Sequence, residues 1–147
     1  MKWIFSSVLF FFLIFMYAQQ PVSKKDSINI TTKLFKQQSD WNAGDIDAFM
    51  EGYLKTEHLI FSGASGPIYG WEATRDRYKK NYSSSQLMGM LAFKILDMIS
   101  LSALVVQLQG SFYLTRDIED TSDFFTLTWL KVKDQWFIIS DHTSATN

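Results

Sequence analysis

No cysteine occurs in the 147 residues, which excludes a disulfide framework, a zinc–thiolate site and a thiol nucleophile. Only two histidines are present, His58 and His142, each beside an acid but far apart in the chain. No spacing therefore offers three metal ligands on one element, and no metal or cofactor is expected. An excess of either charge is missing too: 14 Lys+Arg stand against 15 Asp+Glu. That balance argues against a basic surface tracking nucleic-acid phosphates and against a polybasic membrane patch. No internal repeat is visible. What remains to hold the chain together is a packed apolar core, in a length that suits one domain.

The one long apolar run lies at the start. Residues 1–18 read MKWIFSSVLFFFLIFMYA, with Lys2 as the sole charge and an unbroken apolar stretch from Val8 to Ala18. A positive first region, an 11-residue apolar region and a small residue before QQP form the pattern of a cleaved signal peptide. Spanning a bilayer takes about 20 apolar residues, more than Trp3 to Ala18 supplies. The expectation is a cut after Ala18, export to the periplasm or medium, and no stable membrane anchor afterwards. Residues 19–27 then form a flexible lead-in and 28–147 the domain. Without the leader, the apolar share falls from 47% to about 42%, ordinary for a globule. Four tryptophans and eight phenylalanines remain.

Along that domain a helix is expected from Asp26 or Ser27, with Ile30, Leu34, Phe35 and Trp41 near one face. Gly44 ends it, and Asp45 caps a second helix in DIDAFMEGYL, whose inner stripe is Ile46, Phe49, Met50 and Tyr53. HLIFSG and IYG read as a hairpin, and WEATRDRYKKNY as a third helix. Four strand-like runs rich in β-branched and aromatic residues follow: LMGMLAFKILDMIS, ALVVQLQGSFYLTR, FFTLTWLKVK and QWFIISDHTS. In the last, strict alternation puts Trp136, Ile138, Ser140 and His142 on one face, with Phe137, Ile139, Asp141 and Thr143 on the other. Neither face is wholly polar, so both need cover. Helices on one side and a second copy on the other would supply it, which implies a homodimer through the outer sheet face.

Helix, helix, hairpin, helix and four long strands is the layout of an α+β cone. WNAGDIDAFMEGYL, GPIYGWEATRDRY and FTLTWLKVKDQWFIISDHTS resemble the nuclear transport factor 2-like superfamily, in its SnoaL-like and ketosteroid-isomerase-like branch. The resemblance covers about residues 28–145, and its most specific part is W-x-I-x-x-D-H-T-S at 136–144. It implies a cystatin-like fold, in which a strongly curved antiparallel sheet wraps three N-terminal helices and leaves a conical cavity. It also implies that enzymes of the superfamily keep a carboxylate or histidine there to abstract a proton beside a carbonyl, while other members use the cavity for binding or the outer sheet face for assembly. Ketosteroid isomerases carry their base in the hairpin after the second helix. His58 to Trp71 holds no carboxylate, with Ser62 or Phe61 nearest that place, which disfavours steroid-type isomerisation.

Asp141 and His142 are the candidate acid–base residues. Strand neighbours point to opposite faces, so one of them faces the cavity unless a bulge intervenes. His142 is expected to, since Trp136, Ile138 and Ser140 share its side; its alternative role is a structural one at the strand end. Trp41, Tyr53, Phe61, Trp71, Tyr78, Phe112 and Trp129 are expected to line the pocket, with Arg116 at its mouth to hold a ligand carboxylate or to pair with the acids of the next loop. Arg75 and Arg77, alternating with Asp76 and Lys79, read as a solvated helix face. The reading favoured is a pocket for a small apolar or aromatic molecule. The alternatives are an isomerase, cyclase or hydrolase using His142 or Asp141 with Tyr53 or Tyr78 as oxyanion donor, and a purely structural dimerisation module.

Overall fold

The computed structural model describes residues 21–144; the expected signal peptide and its cut after Ala18 lie outside the described residues. Helix α1 (Lys24–Asn42) begins earlier than the sequence pattern implies. Ser23 caps it by accepting a 3.1 Å hydrogen bond from the Asp26 backbone N–H, so residues 24–27 are a first helical turn and not part of a flexible lead-in. The buried stripe of α1 is Ile30, Leu34, Gln37 and Trp41. Phe35, expected inside, is 39% exposed, because the 4-3-4 spacing of the true stripe passes beside it.

Gly44, at φ +79°, turns the chain into α2 (Ile46–Met50), where Asp45 Oδ1 accepts from the Ala48 N–H at 2.9 Å. Ile46, Phe49, Met50 and Tyr53 are all buried. The hairpin β1 (Ile60–Gly63) and β2 (Gly66–Tyr69) leads into α3 (Trp71–Asn81), which buries Trp71, Thr74 and Tyr78. A short helix, α4 (Ser85–Met88), takes the start of the first expected long strand. Ser84 caps it, and the strand itself starts only at Met90.

The remaining strands are β3 (Met90–Ser102), β4 (Val105–Thr115), β5 (Thr121–Val132) and β6 (Gln135–Thr143). They form one six-stranded sheet in the order β2-β1-β6-β5-β4-β3. All pairings are antiparallel except β1 with β6, which is parallel. The sheet is therefore mixed where a purely antiparallel one is expected from the resemblance. Its inner face carries Val106, Leu108 and Leu114 of β4 and Phe125, Leu127 and Trp129 of β5, all buried against the helices. Register shifts in β3 fall between Ile95 and Asp97 and between Ser100 and Ser102, and bulges of this kind add twist and bend a sheet around its contents.

One further bulge decides which residues of β6 face inward. Thr128 pairs with Ser140 and Trp129 with Ile138, leaving Ile139 as the extra residue. Trp136 and Ile138 point into the core, and after the bulge Asp141 does so as well, while His142 is exposed. The strict alternation expected from the sequence is broken at this one residue, so the inward place expected for His142 is taken by Asp141.

Candidate functional site

Asp141 is 4% exposed and sits on the inner face of β6, level with Phe61 of β1 and Leu127 of β5. Its Oδ2 accepts a 2.7 Å hydrogen bond from the Tyr53 hydroxyl, and its Oδ1 a 3.1 Å bond from the Thr143 hydroxyl. The Tyr53 oxygen lies 3.4 Å from the Tyr78 hydroxyl. Because Tyr53 spends its proton on Asp141, the chain of donation runs from Tyr78 through Tyr53 to the carboxylate.

The backbone explains how Tyr53 reaches so far. Just after α2 the chain runs beside β6 for a few residues. The Ile138 N–H donates to the Gly52 carbonyl at 3.0 Å, and the Leu54 N–H to the Ile138 carbonyl at 2.9 Å. Tyr53 thus becomes a short parallel neighbour of Ile138, with its ring directed along the inner face. Trp71, expected to line a pocket, instead fixes α2 from behind, its indole N–H donating to the Met50 carbonyl at 3.0 Å.

Burial pushes the Asp141 carboxyl up to about 6, against the lowering effects of the Tyr53 and Thr143 hydrogen bonds and of the Arg77 and His142 charges. Desolvation, followed by the nearby Asp141 charge, raises the Tyr53 and Tyr78 hydroxyls well above the usual phenolic range. The site therefore holds a carboxyl poised to change charge near neutrality and two phenols that stay protonated.

Around this group lies a cavity of about 150 Å³. Trp41, Tyr53, Phe61, Tyr78, Phe112 and Arg116 line it. Trp71 and Trp129 do not. Trp129 is fully buried within the sheet core, and its indole nitrogen has no hydrogen-bond partner among the described residues. The rings meet edge to face: Phe49 and Tyr78 at 5.3 Å between centroids, Phe61 and Tyr78 at 5.6 Å, Phe93 and Phe125 at 5.4 Å. These geometries favour aromatic packing.

Two lining residues escape the sequence reading. Arg77 is not on a fully solvated face. Its guanidinium carbon lies 4.5 Å from the centre of the Phe61 ring, and the residue borders the cavity. Its place three residues after the buried Thr74 and next to Tyr78 is the signal that marks it. Gln37, on the buried stripe of α1, donates from Nε2 to the Phe49 carbonyl at 2.9 Å and leaves Oε1 without a partner among the described residues. Arg116 does not form an ion pair with the acids of its loop. It donates to the Glu119 carbonyl at 2.9 Å and to the Thr121 hydroxyl, while its backbone N–H donates to Asp120. Among the described residues, no three metal-binding side chains come together.

Neither a family model nor a curated protein matches this chain. Solved structures do. An NTF2-like protein of unknown function from Shewanella oneidensis is 34% identical, with a TM-score of 0.78 over 81% of this chain and 98% of its own. A cystatin-like-fold protein of unknown function from Nostoc punctiforme aligns at a TM-score of 0.68 and 10% identity, over 86% of this chain and 96% of its own. A ketosteroid isomerase-like protein from Erwinia carotovora atroseptica gives 0.68 and 14%, over 85% and 99%. The latter two share the fold. The identity and coverage of the first go further: the chain belongs to the NTF2-like family.

Proposed function

We propose that this protein binds a small, largely apolar or aromatic molecule in the cavity between α1, α3 and the curved sheet. The observation that carries the reading is a buried carboxyl, Asp141, held by Tyr53 inside a ring-lined space. A few convergent polar groups in an apolar wall are what small-molecule sites share. A cavity of about 150 Å³ is smaller than most such sites, but an engineered apolar cavity of that size accepts benzene. The test is a thermal-shift screen of the purified protein against single-ring compounds. A rise in melting temperature that Phe61→Trp abolishes by filling the space is the expected result; no shift across the panel refutes binding and favours a purely structural module.

A second reading has its own support. A buried carboxyl near 6, beside phenols that remain protonated, suits general acid–base work with Tyr53 or Tyr78 stabilising a developing oxyanion. Asp141 would be the base in an isomerase-, cyclase- or hydrolase-type reaction, and exposed His142 has no such setting. The base here comes from β6, whereas the β1–β2 hairpin, where ketosteroid isomerases carry theirs, has no carboxylate. Turnover of any bound compound that is lost in Asp141→Asn would establish this reading.

Export, the SnoaL-like branch and self-association belong to the same proposal. The sequence of residues 1–18 supports a signal peptide, and Gln19 is the expected first residue of the protein recovered from the periplasm. Tyr113 and Phe124 are exposed on the outer sheet face, at 47% and 62%, and support a homodimer through that face. Sedimentation analysis would report a dimer that Phe124→Lys dissociates.

A further inference from the structure

The charged side chains on the cavity wall are Arg77, Arg116 and Asp141. Asp141 is engaged by two hydroxyls. The two guanidiniums are differently placed. Among the described residues neither lies within ion-pair distance of a carboxylate, although the Arg77 charge acts on Asp141 and the Arg116 charge on Asp120 from farther away. Arg77 rests on the Phe61 face, and Arg116 is oriented by neutral oxygens of Glu119 and Thr121.

Both arginines belong to the same end of the cone. A Cβ on Gly63 would come within 3.3 Å of the Arg77 guanidinium, which puts that group at the end of β1. The parallel register Ser62 with His142 sets Gly63 level with Thr143, the last residue of β6. Thr143 pairs with Phe125 near the start of β5, and Thr121 pairs with Leu114 beside Arg116. The ends of β1, β4 and β6 and the beginning of β5 therefore form one rim, with an arginine on either side. Below that rim lie the rings of Phe49, Phe61, Tyr78, Phe93 and Phe125.

From this arrangement we infer that the ligand is a single-ring aromatic carboxylate, its ring among the phenylalanines and its carboxylate between Arg77 and Arg116 at the rim. The inference rests on the proposal that the cavity binds a small molecule, and it adds the ligand's charge and size. Guanidinium is the side chain best matched to a carboxylate, because its planar fork donates two parallel hydrogen bonds. With Asp141 ionised the wall carries a net charge of +1, which one monoanion neutralises. A cavity of about 150 Å³ is the size at which an engineered apolar cavity accepts one six-membered ring.

Titration calorimetry with benzoate, benzamide and 2-naphthoate tests this. Benzoate is expected to bind at least about tenfold more tightly than its neutral isostere benzamide, and more tightly than 2-naphthoate. Arg77→Gln should weaken benzoate by about tenfold, the scale of one charge-assisted hydrogen bond, and leave benzamide unchanged. Arg77→Lys, which retains the charge and guards against a folding defect, should recover part of the loss. Equal binding of benzoate and benzamide, or indifference of benzoate to Arg77→Gln in a variant that melts like the wild type, would overturn the carboxylate and leave the pocket standing. Binding of 2-naphthoate as tight as benzoate would overturn the single-ring limit. Absence of binding by all three compounds would overturn both this inference and the binding reading beneath it.

Discussion

The Tyr53 hydroxyl and the Asp141 carboxylate, 88 residues apart in the chain, are joined by a 2.7 Å hydrogen bond in the interior of the cone. The bond needs two separate irregularities. Tyr53 must leave α2 and run beside β6, and Asp141 must be turned inward by the extra residue Ile139. Each alone would leave a polar group facing rings without a partner, a loss of about 1–3 kcal/mol. The bond therefore ties the course of the chain after α2 to the register of the last strand.

Tyr53→Phe removes the donor and keeps the ring. A hydrogen bond to a charged acceptor is worth more than one to a neutral acceptor, about 1.5–3 against about 1 kcal/mol. The variant is accordingly expected to lose about 2 kcal/mol of stability at pH 8, where Asp141 is ionised, and about half of that at pH 4. Urea unfolding at the two pH values measures the difference; an equal loss at both would mean that the hydroxyl does not sense the charge.

Asp141 itself imposes a pH dependence of defined sign. Its carboxyl is raised from 3.8 to about 6 by burial, so the folded state holds this proton more tightly than the unfolded chain. Stability therefore falls as pH rises from about 4 to about 6 and is level above, by roughly 3 kcal/mol in all. Asp141→Asn keeps an acceptor for Tyr53 and cannot ionise. Its stability relative to the wild type should rise by roughly that amount between pH 4 and pH 7. A difference that stays constant with pH would place the Asp141 carboxyl near its ordinary value.

The order of elements was legible because amphipathic spacing and capping residues mark it locally: Asp45 caps α2, Gly70 precedes α3, and β4 alternates cleanly. The identity of the inward residue at the end of β6 was not. QWFIISDHT is apolar on both faces as far as Ile139, so a one-residue bulge changes nothing in its pattern while exchanging Asp141 for His142. Arg77 and Gln37 were hidden for another reason. Both lie on the flank or stripe of a helix, and a polar side chain there reads as solvated until the partner ring or carbonyl is seen. The positions were present in the spacing, three residues from Thr74 and from Leu34.

Asp26 holds the first turn of α1 to the β5–β6 hairpin. Its Oδ1 accepts from Lys131 Nζ and from the Trp136 indole N–H, each at 2.9 Å. These bonds, with that from Ser23, hold its carboxyl down at about 2. The stabilisation is therefore complete above pH 4 and is lost as pH falls through about 2. Asp26→Ala strands the Trp136 N–H as well as the lysine, and about 2 kcal/mol should be lost at pH 7. The gap between variant and wild type should narrow on acidification from pH 4 to pH 2, followed by tryptophan fluorescence; a gap that persists at pH 2 would mean that Asp26 acts through packing and not through its charge.

Gly52 is where the backbone beside β6 crosses Gln37. A Cβ there would overlap the Gln37 side-chain amide, which is itself buried at 2% exposure and tied to the Phe49 carbonyl. Gly52→Ala must therefore push the amide toward the cavity and break that bond, with an expected loss of about 2–3 kcal/mol from overpacking and an unmet Gln37 amide. Shortening Gln37 removes the clash. The double variant Gly52→Ala with Gln37→Ala should be more stable than the sum of the two single losses predicts, by at least about 1 kcal/mol of coupling. Strict additivity in chemical denaturation would show that the backbone, and not Gln37, resists the added methyl. A displaced amide also enters the ligand space, so Gly52→Ala alone should weaken any compound that the cavity binds, and the second substitution should restore it.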